Sequence, residues 1–319
     1  MSAPKVVVVF GATGVQGGSV ITALLADART ATQFKLRGIT RDPSKPNAQA
    51  LAAKGVECVT ADLDSKDSLL AAFKDAYAVF AVTNYWEKMD AKLEERQGRN
   101  VADVCKDAGV QHLIWSSLIN VAELSKGKFS EVYHFDSKAN IEEYIRSIGI
   151  PATYVLPGFY MSNFSSWLYP NPQSEAHELV LSLPMPPDTP IPLLDTAGDM
   201  GKFVKAALLN REKTLGKQLL AAAAYYTPEQ ILSEFAALKP VTGKGAHFVQ
   251  NSHDAFKSVL ASAGMPPLAQ EELAQNMEFM HDFGYYGKAS LSESLQLLGE
   301  PATSWTEFMA KDAAYKQMQ

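Results

Sequence analysis

Val6-Val7-Val8-Val9-Phe10-Gly11-Ala12-Thr13-Gly14-Val15-Gln16-Gly17-Gly18-Ser19-Val20 decides how this chain folds. The valine run reads as a buried strand and the glycines as a tight turn. Val20, Ile21, Leu24 and Leu25 form the apolar face of the helix that follows. Gly11 permits the turn, Gly14 lets backbone N–H groups approach a pyrophosphate, and Gly17 lets the helix pack close to the strand. The helix N-terminus adds a partial positive charge that suits phosphate. A glycine-rich turn without a ligand is the plain alternative, because a lone Gly-x-x-Gly-x-x-Gly is weak. The valine run before it and the amphipathic helix after it make a dinucleotide site the stronger reading.

The second strand, Phe34–Thr40, indicates which dinucleotide. An NAD site usually carries an acid at this strand end, for the ribose 2′-hydroxyl. This strand has none; Arg37, Arg41 and Lys45 cluster there instead. Cations suit a 2′-phosphate, and arginine binds it through a planar fork of donors. The pattern favours NADP(H) over NAD(H), although any one of these cations could be a solvated surface charge. Asp42 could offset one of them or cap the turn through Pro43.

Strands and helices then alternate as a doubly wound parallel sheet requires. Helices are expected over 47–54, 66–74, 90–108 and 136–147, and strands over 56–61, 78–82, 112–115 and 153–156. This predicts a Rossmann-type α/β domain over residues 1–157. A smaller mixed C-terminal lobe, for substrate or partner, follows over 158–319, with segments returning to the first domain. Pro170, Pro172, Pro184, Pro186, Pro187, Pro190 and Pro192 suggest a folded-over excursion able to wall a pocket. Segments 200–209, 228–238 and 252–263 look helical.

Composition fits an enzyme-like domain: 319 residues, 47% hydrophobic and 20% charged. Cys58 and Cys105, the two cysteines, are too few for a disulfide framework or a zinc site, so no metal is expected. No secretory leader or membrane-spanning run is legible, which points to the cytoplasm with the nucleus also accessible. A formal charge of −6 argues against direct binding to nucleic acid. The length admits a homodimer.

Ligands bind at the carboxyl ends of parallel strands. These ends carry Asp62-Leu63, beside the adenine; Thr83-Asn84-Tyr85-Trp86; Ser116-Ser117; and Pro157-Gly158-Phe159-Tyr160. Taken singly, each could equally be an ordinary turn or cap. In Tyr133-His134-Phe135-Asp136-Ser137-Lys138, His134 and Lys138 are four apart and share a helical face. Short-chain dehydrogenases place a Tyr-x-x-x-Lys pair at this point, and here histidine stands in the tyrosine position. Histidine can serve as a general acid, as a ribose or phosphate contact, or structurally. Tyr133 would point roughly 100° away. Lys138 reads as a cofactor contact over a plain surface lysine.

Gly-Ala-Thr-Gly-Val-Gln-Gly-Gly-Ser-Val, Thr-Arg-Asp-Pro, Thr-Asn-Tyr-Trp-Glu, His-Phe-Asp-Ser-Lys and Glu-Glu-Tyr-Ile-Arg-Ser-Ile-Gly-Ile-Pro together resemble the NmrA-like proteins. These are atypical short-chain dehydrogenases, and the Thr-Asn-Tyr-Trp-Glu and His-Phe-Asp-Ser-Lys segments are similar to their HSCARG-type NADPH-sensor branch. The likeness is close over about residues 4–165. It implies a Rossmann domain with a small C-terminal lobe, and NADP(H) as cofactor. It also implies Gly11, Thr13, Gly14, Val15 and Gln16 along the pyrophosphate, Arg37 and Arg41 at the 2′-phosphate, and Lys138 at the nicotinamide ribose. Two functions follow. One is an NADPH-dependent reductase of a small apolar carbonyl, imine or enone, with His134, a water or Ser117 supplying the proton or polarising the acceptor. The other is a non-catalytic sensor of the NADPH/NADP ratio that regulates a protein partner such as a transcription factor. The missing tyrosine favours the sensor. Met161, Phe164, Trp167, Leu168 and Tyr169 allow a substrate pocket, though such a stripe is more often core.

Overall fold

The computed structural model describes residues 3–171 and 178–319, so Pro172 of the proline-rich excursion lies outside the described residues. Seven parallel strands make the central sheet. They are β1 (Lys5–Val9), β2 (Phe34–Ile39), β3 (Glu57–Val59), β4 (Ala76–Ala81), β5 (His112–Ser116), β6 (Ala152–Pro157) and β11 (Gln218–Ala221). Their spatial order is β3-β2-β1-β4-β5-β6-β11. The chain winds outward from β1 on one side, then returns to β4 on the other. A crevice therefore opens at the carboxyl ends of β1 and β4, where doubly wound sheets bind ligands.

Val7, Val8 and Val9 have no exposed surface, because helices cover both faces of the sheet. Val8 and Phe10 join one core; Val7 and Val9 join the other. On the first face lie the helices Lys66–Ala72, Ala91–Asp107 and Tyr133–Ser147, and on the second the helices Val15–Ala26 and Thr196–Leu209. A Cβ added to Gly98 would come within 2.5 Å of Ile141, so the helices Ala91–Asp107 and Tyr133–Ser147 touch at glycine distance.

The second half departs from the sequence expectation in three ways. β11 was not expected; its alanine-rich surroundings have low strand propensity, and pairing with β6 makes it a strand. The proline-rich stretch carries regular structure: β9 (Leu179–Leu183) and β10 (Ile191–Leu194). β10 pairs with β7 (Phe159–Tyr160) and β12 (Ala224–Tyr226), while β9 pairs with β8 (Leu168–Pro170) and β13 (His247–Gln250). Third, a 17-residue helix, Pro267–Phe283, enters the site described below. Met161, Phe164 and Leu168 are buried in core, with Phe164 and Trp167 ring-packed on Phe159. Cys58 and Cys105 are both free thiols. Among the described residues no helix is long and apolar enough to cross a membrane.

Candidate functional site

The glycine loop lies at the crevice between β1 and the Val15–Ala26 helix. Gly11 takes φ +59°, and the Gly14 amide donates to the Gly11 carbonyl at 2.8 Å. A Cβ on Gly17 would lie 2.3 Å from the carbonyl oxygens of both Gly11 and Phe10, so no side chain fits there. Gly14 caps the helix without a side-chain bond, and no acid stands in the first turn. The first-turn N–H groups thus keep their affinity for an anion. Thr13 and Val15 are exposed beside them, Val15 at 57%. Gln16 ties the loop to two other strand ends: its Nε2 donates to the Tyr160 hydroxyl, and its Oε1 accepts from Ser116, each at 2.8 Å. A dinucleotide's pyrophosphate fits this cradle.

At the β2 end the expected cations separate. Arg37 belongs to the strand interior, paired in register with Val8 and Glu57. Its Nη1 donates to the carbonyls of Ala72 (2.9 Å) and Lys74 (2.8 Å), and its Nη2 to Glu57. Arg37 is thus engaged by the C-terminal end of the Lys66–Ala72 helix, inside β2 and short of its end. Arg41 and Lys45 are exposed beyond that end. Asp42 accepts from both the amide and the hydroxyl of Ser44, which hold its carboxyl below the usual range. Asp62, exposed, caps its own turn by accepting from the Asp64 amide, and the Leu63 carbonyl accepts from Asn100.

Around His134 and Lys138 the structure assembles two buried carboxylates that the sequence reading missed. Glu94, 2% exposed, accepts through Oε1 from Lys138 Nζ (2.5 Å) and Thr83 Oγ1 (2.6 Å), and through Oε2 from Ser137. The Trp115 indole donates to the Lys138 carbonyl at 3.1 Å, fixing its backbone. Lys138 is thus a cation held in a nearly closed site.

Glu272 is fully buried on the Pro267–Phe283 helix. Its Oε1 lies 2.6 Å from both the backbone nitrogen and Nδ1 of His134, and its Oε2 accepts from the Tyr85 hydroxyl at 2.8 Å. One carboxylate therefore caps a helix that has no cap of its own and grips the imidazole in that helix's first turn. A carboxylate accepts at this contact, so the tautomer with its proton on Nδ1 would leave Nε2, the ring's other nitrogen, outside the clamp. Burial, and then the bond to Glu272, push the Tyr85 phenol well above its ordinary range, so it stays neutral. The Trp86 ring, 42% exposed, lies 4.8 Å from the His134 ring.

Other expected site residues do not reach an open crevice. Ser117 is fully buried, and its hydroxyl is turned to the carbonyls of Leu118 (3.3 Å) and Lys138 (3.5 Å). Phe159 is buried against Phe164 and Trp167. The Pro157 carbonyl is taken by the Tyr285 hydroxyl at 3.1 Å. Asn84 is exposed. Glu94 did leave a signal: it lies in the stripe Glu94, Gly98, Val101, Cys105, all buried at helical spacing. Glu272 lies likewise in Ala269, Glu272, Asn276, Met280. A carboxylate inside a buried stripe must find partners.

Strand order, glycine loop and crevice define a Rossmann-type α/β protein. The chain belongs to the NmrA-like family, whose model matches residues 3–309. It is similar to the NmrA-like family domain-containing oxidoreductase cpsB of Aspergillus campestris, at 29% identity over 92% of this chain and 88% of that protein. Among solved structures, it resembles NmrA, a negative transcriptional regulator, in complex with NADP (TM-score 0.80, 21% identity, 99% of this chain and 97% of that one). It also resembles the Citrobacter triphenylmethane reductase complexed with NADP(H) (TM-score 0.75, 21% identity, 98% and 99%).

Proposed function

We propose that the protein is an NADP(H)-dependent reductase of a small apolar carbonyl, imine or enone, with His134 as proton donor. The observation that carries this is the grip of the buried Glu272 carboxylate on His134 Nδ1 at 2.6 Å. Such a partner would hold a proton on Nδ1 and fix the ring plane; as donor the ring would carry a second proton on Nε2, give it to the substrate and regain it from solvent. The Thr13–Gly17 backbone would hold the pyrophosphate, Arg41 and Lys45 the 2′-phosphate, Asp62, Leu63 and Asn84 the adenosine surroundings, and Lys138 the nicotinamide ribose. The bound cofactor supplies a hydride from C4 of its nicotinamide. Glu94 keeps Lys138 in one position through a charge-assisted bond, and Tyr85, neutral and bonded to Glu272, steadies the second oxygen of the clamp. The naming of curated relatives as oxidoreductases supports the same reading.

The experiment is a screen of NADPH oxidation against ketones, imines, enones and quinones, repeated with His134 replaced. Turnover by the unmodified protein that the replacement leaves intact removes His134 from the chemistry.

One observation favours the sensor reading: the Pro267–Phe283 helix reaches His134 and Tyr85 directly, so a change at the nucleotide could be passed to the C-terminal half. That reading requires no turnover across the panel. It also requires different protease sensitivity or partner affinity with NADPH and with NADP⁺.

A further inference from the structure

We propose that Glu87 sets the cofactor preference of the adenosine end, competing with the nucleotide's 2′-phosphate for Arg41. The inference rests on the NADP(H) reading above. Arg41 Nη1 lies 3.2 Å from Oε1 and 3.3 Å from Oε2 of Glu87. Arg41 follows β2 and Glu87 follows β4, while β1 runs between those strands. The ion pair therefore bridges the crevice above the glycine loop. The loop itself is fastened to the same strand end, because the Ala12 amide donates to the Ile39 carbonyl at 3.2 Å.

The neighbouring charges differ in what engages them. Arg37 is engaged within the sheet, and Asp42 caps its own turn. Lys45, at the start of the Pro46–Ala52 helix, stays available to the same phosphate but makes no bond to Glu87. Glu87 thus supplies the carboxylate that the β2 end itself lacks, from across the crevice.

A guanidinium offers the same planar donors to a carboxylate or to a phosphate. A 2′-phosphate must draw Arg41 away from Glu87 and then sits near the carboxylate it displaced. A nucleotide with a free 2′-hydroxyl meets no such repulsion, and a carboxylate at this position can accept from that hydroxyl. Glu87 therefore narrows the advantage that Arg41 gives NADPH over NADH. Both side chains are exposed, Arg41 at 87%, so the effect is modest: about two- to fivefold in affinity, the range of exposed ion pairs.

Calorimetric titration of the full chain tests this with NADPH and NADH. Adenosine 2′,5′-bisphosphate and AMP serve as probes that lack the nicotinamide. Glu87→Gln should tighten NADPH and the bisphosphate about two- to fivefold, while NADH and AMP stay unchanged or weaken. In an Arg41→Met background the same substitution should tighten NADPH less, since only the direct repulsion and not the competition for Arg41 remains to be relieved; an equal gain in both backgrounds overturns the competition. Unchanged or weaker NADPH binding by Glu87→Gln, with Arg41 present, overturns the proposal while leaving the cofactor reading intact. A wild-type chain that binds neither dinucleotide overturns the cofactor reading itself, and this inference with it.

Discussion

The two buried carboxylates hold the His134/Lys138 pair from opposite directions, and they hold different kinds of group. Glu94 lies 44 residues before Lys138, and its network of Thr83, Ser137 and Lys138 stays within the first half of the chain. Glu272 lies 138 residues after His134 and comes from the second half. Glu94 compensates a nearly buried cation, whereas Glu272 satisfies a backbone amide, an imidazole and a phenol. Removing the first leaves a charge unpaired. Removing the second frees a ring. On the reductase reading proposed above, the first clamp keeps the fold with its cation inside, and the second aims the His134 ring.

The sharpest way to break this contrast is at the ring. His134→Asn keeps an amide donor toward Glu272 but removes the outward nitrogen. With any accepted substrate, kcat should fall about 10²–10⁴-fold. NADPH affinity should scarcely move. Rapid-mixing rates that match wild type would make His134 a structural residue and erase the distinction between the clamps.

On the other side, Glu94→Ala should cost about 3–5 kcal/mol of stability, the usual penalty for stranding one partner of a buried pair. Chemical denaturation reads it. Adding Lys138→Met should recover a large part, since the orphaned charge is then gone. A single variant as stable as wild type would mean that the pair contributes nothing to the fold.

Glu272→Gln should be milder in stability, about 1–3 kcal/mol for imperfectly matched buried bonds. It should nevertheless lower kcat with little effect on NADPH affinity, because the ring loses its fixed tautomer. Loss of NADPH binding instead of kcat would assign Glu272 to the cofactor.

The smallest effect is a pH signature from the same helix. Burial pushes the Asp136 carboxyl up to about 6, against the lowering bonds it accepts from Val121 and Ala122. Between its ordinary 3.8 and about 6, the folded chain holds the extra proton, so this group's contribution to stability falls as pH rises through that window. Asp136→Asn retains an acceptor and does not titrate. Its Tm relative to wild type should climb from pH 4 to 6 and then level off. His112, whose pKa burial lowers to about 4, works in the opposite sense but cancels in the difference, being present in both proteins. A flat difference curve would contradict the assignment.

How legible the molecule is from sequence follows the same division. The first six strands and the helices between them carry their own signals: a valine run, glycine stops and apolar stripes. Contacts across the chain do not. The Tyr133–Ser147 helix begins three residues earlier than the expected Asp136, because Glu272 caps it from another helix. The charge of Arg37 was legible, but its place in the strand register and its bonds to the Ala72 and Lys74 carbonyls were not. β11 becomes a strand only against β6. The two clamps were readable in principle, as acids inside buried stripes; their partners were not, since nothing local to Glu272 names His134.

The position of β11 also bears on how the chain leaves the ribosome. The central sheet is complete only when Ala221 has emerged, and one of its faces is covered by the Thr196–Leu209 helix. That helix crosses the Val15–Ala26 helix so closely that a Cβ on Gly201 would lie 2.2 Å from the Ser19 carbonyl. A nascent chain halted near residue 160 therefore displays the apolar side of that first helix and an unpaired β6 edge. During synthesis the glycine loop comes first, and the helix that packs against its own helix more than a hundred residues later; until β11 emerges, the β6 edge is open to pairing with other chains.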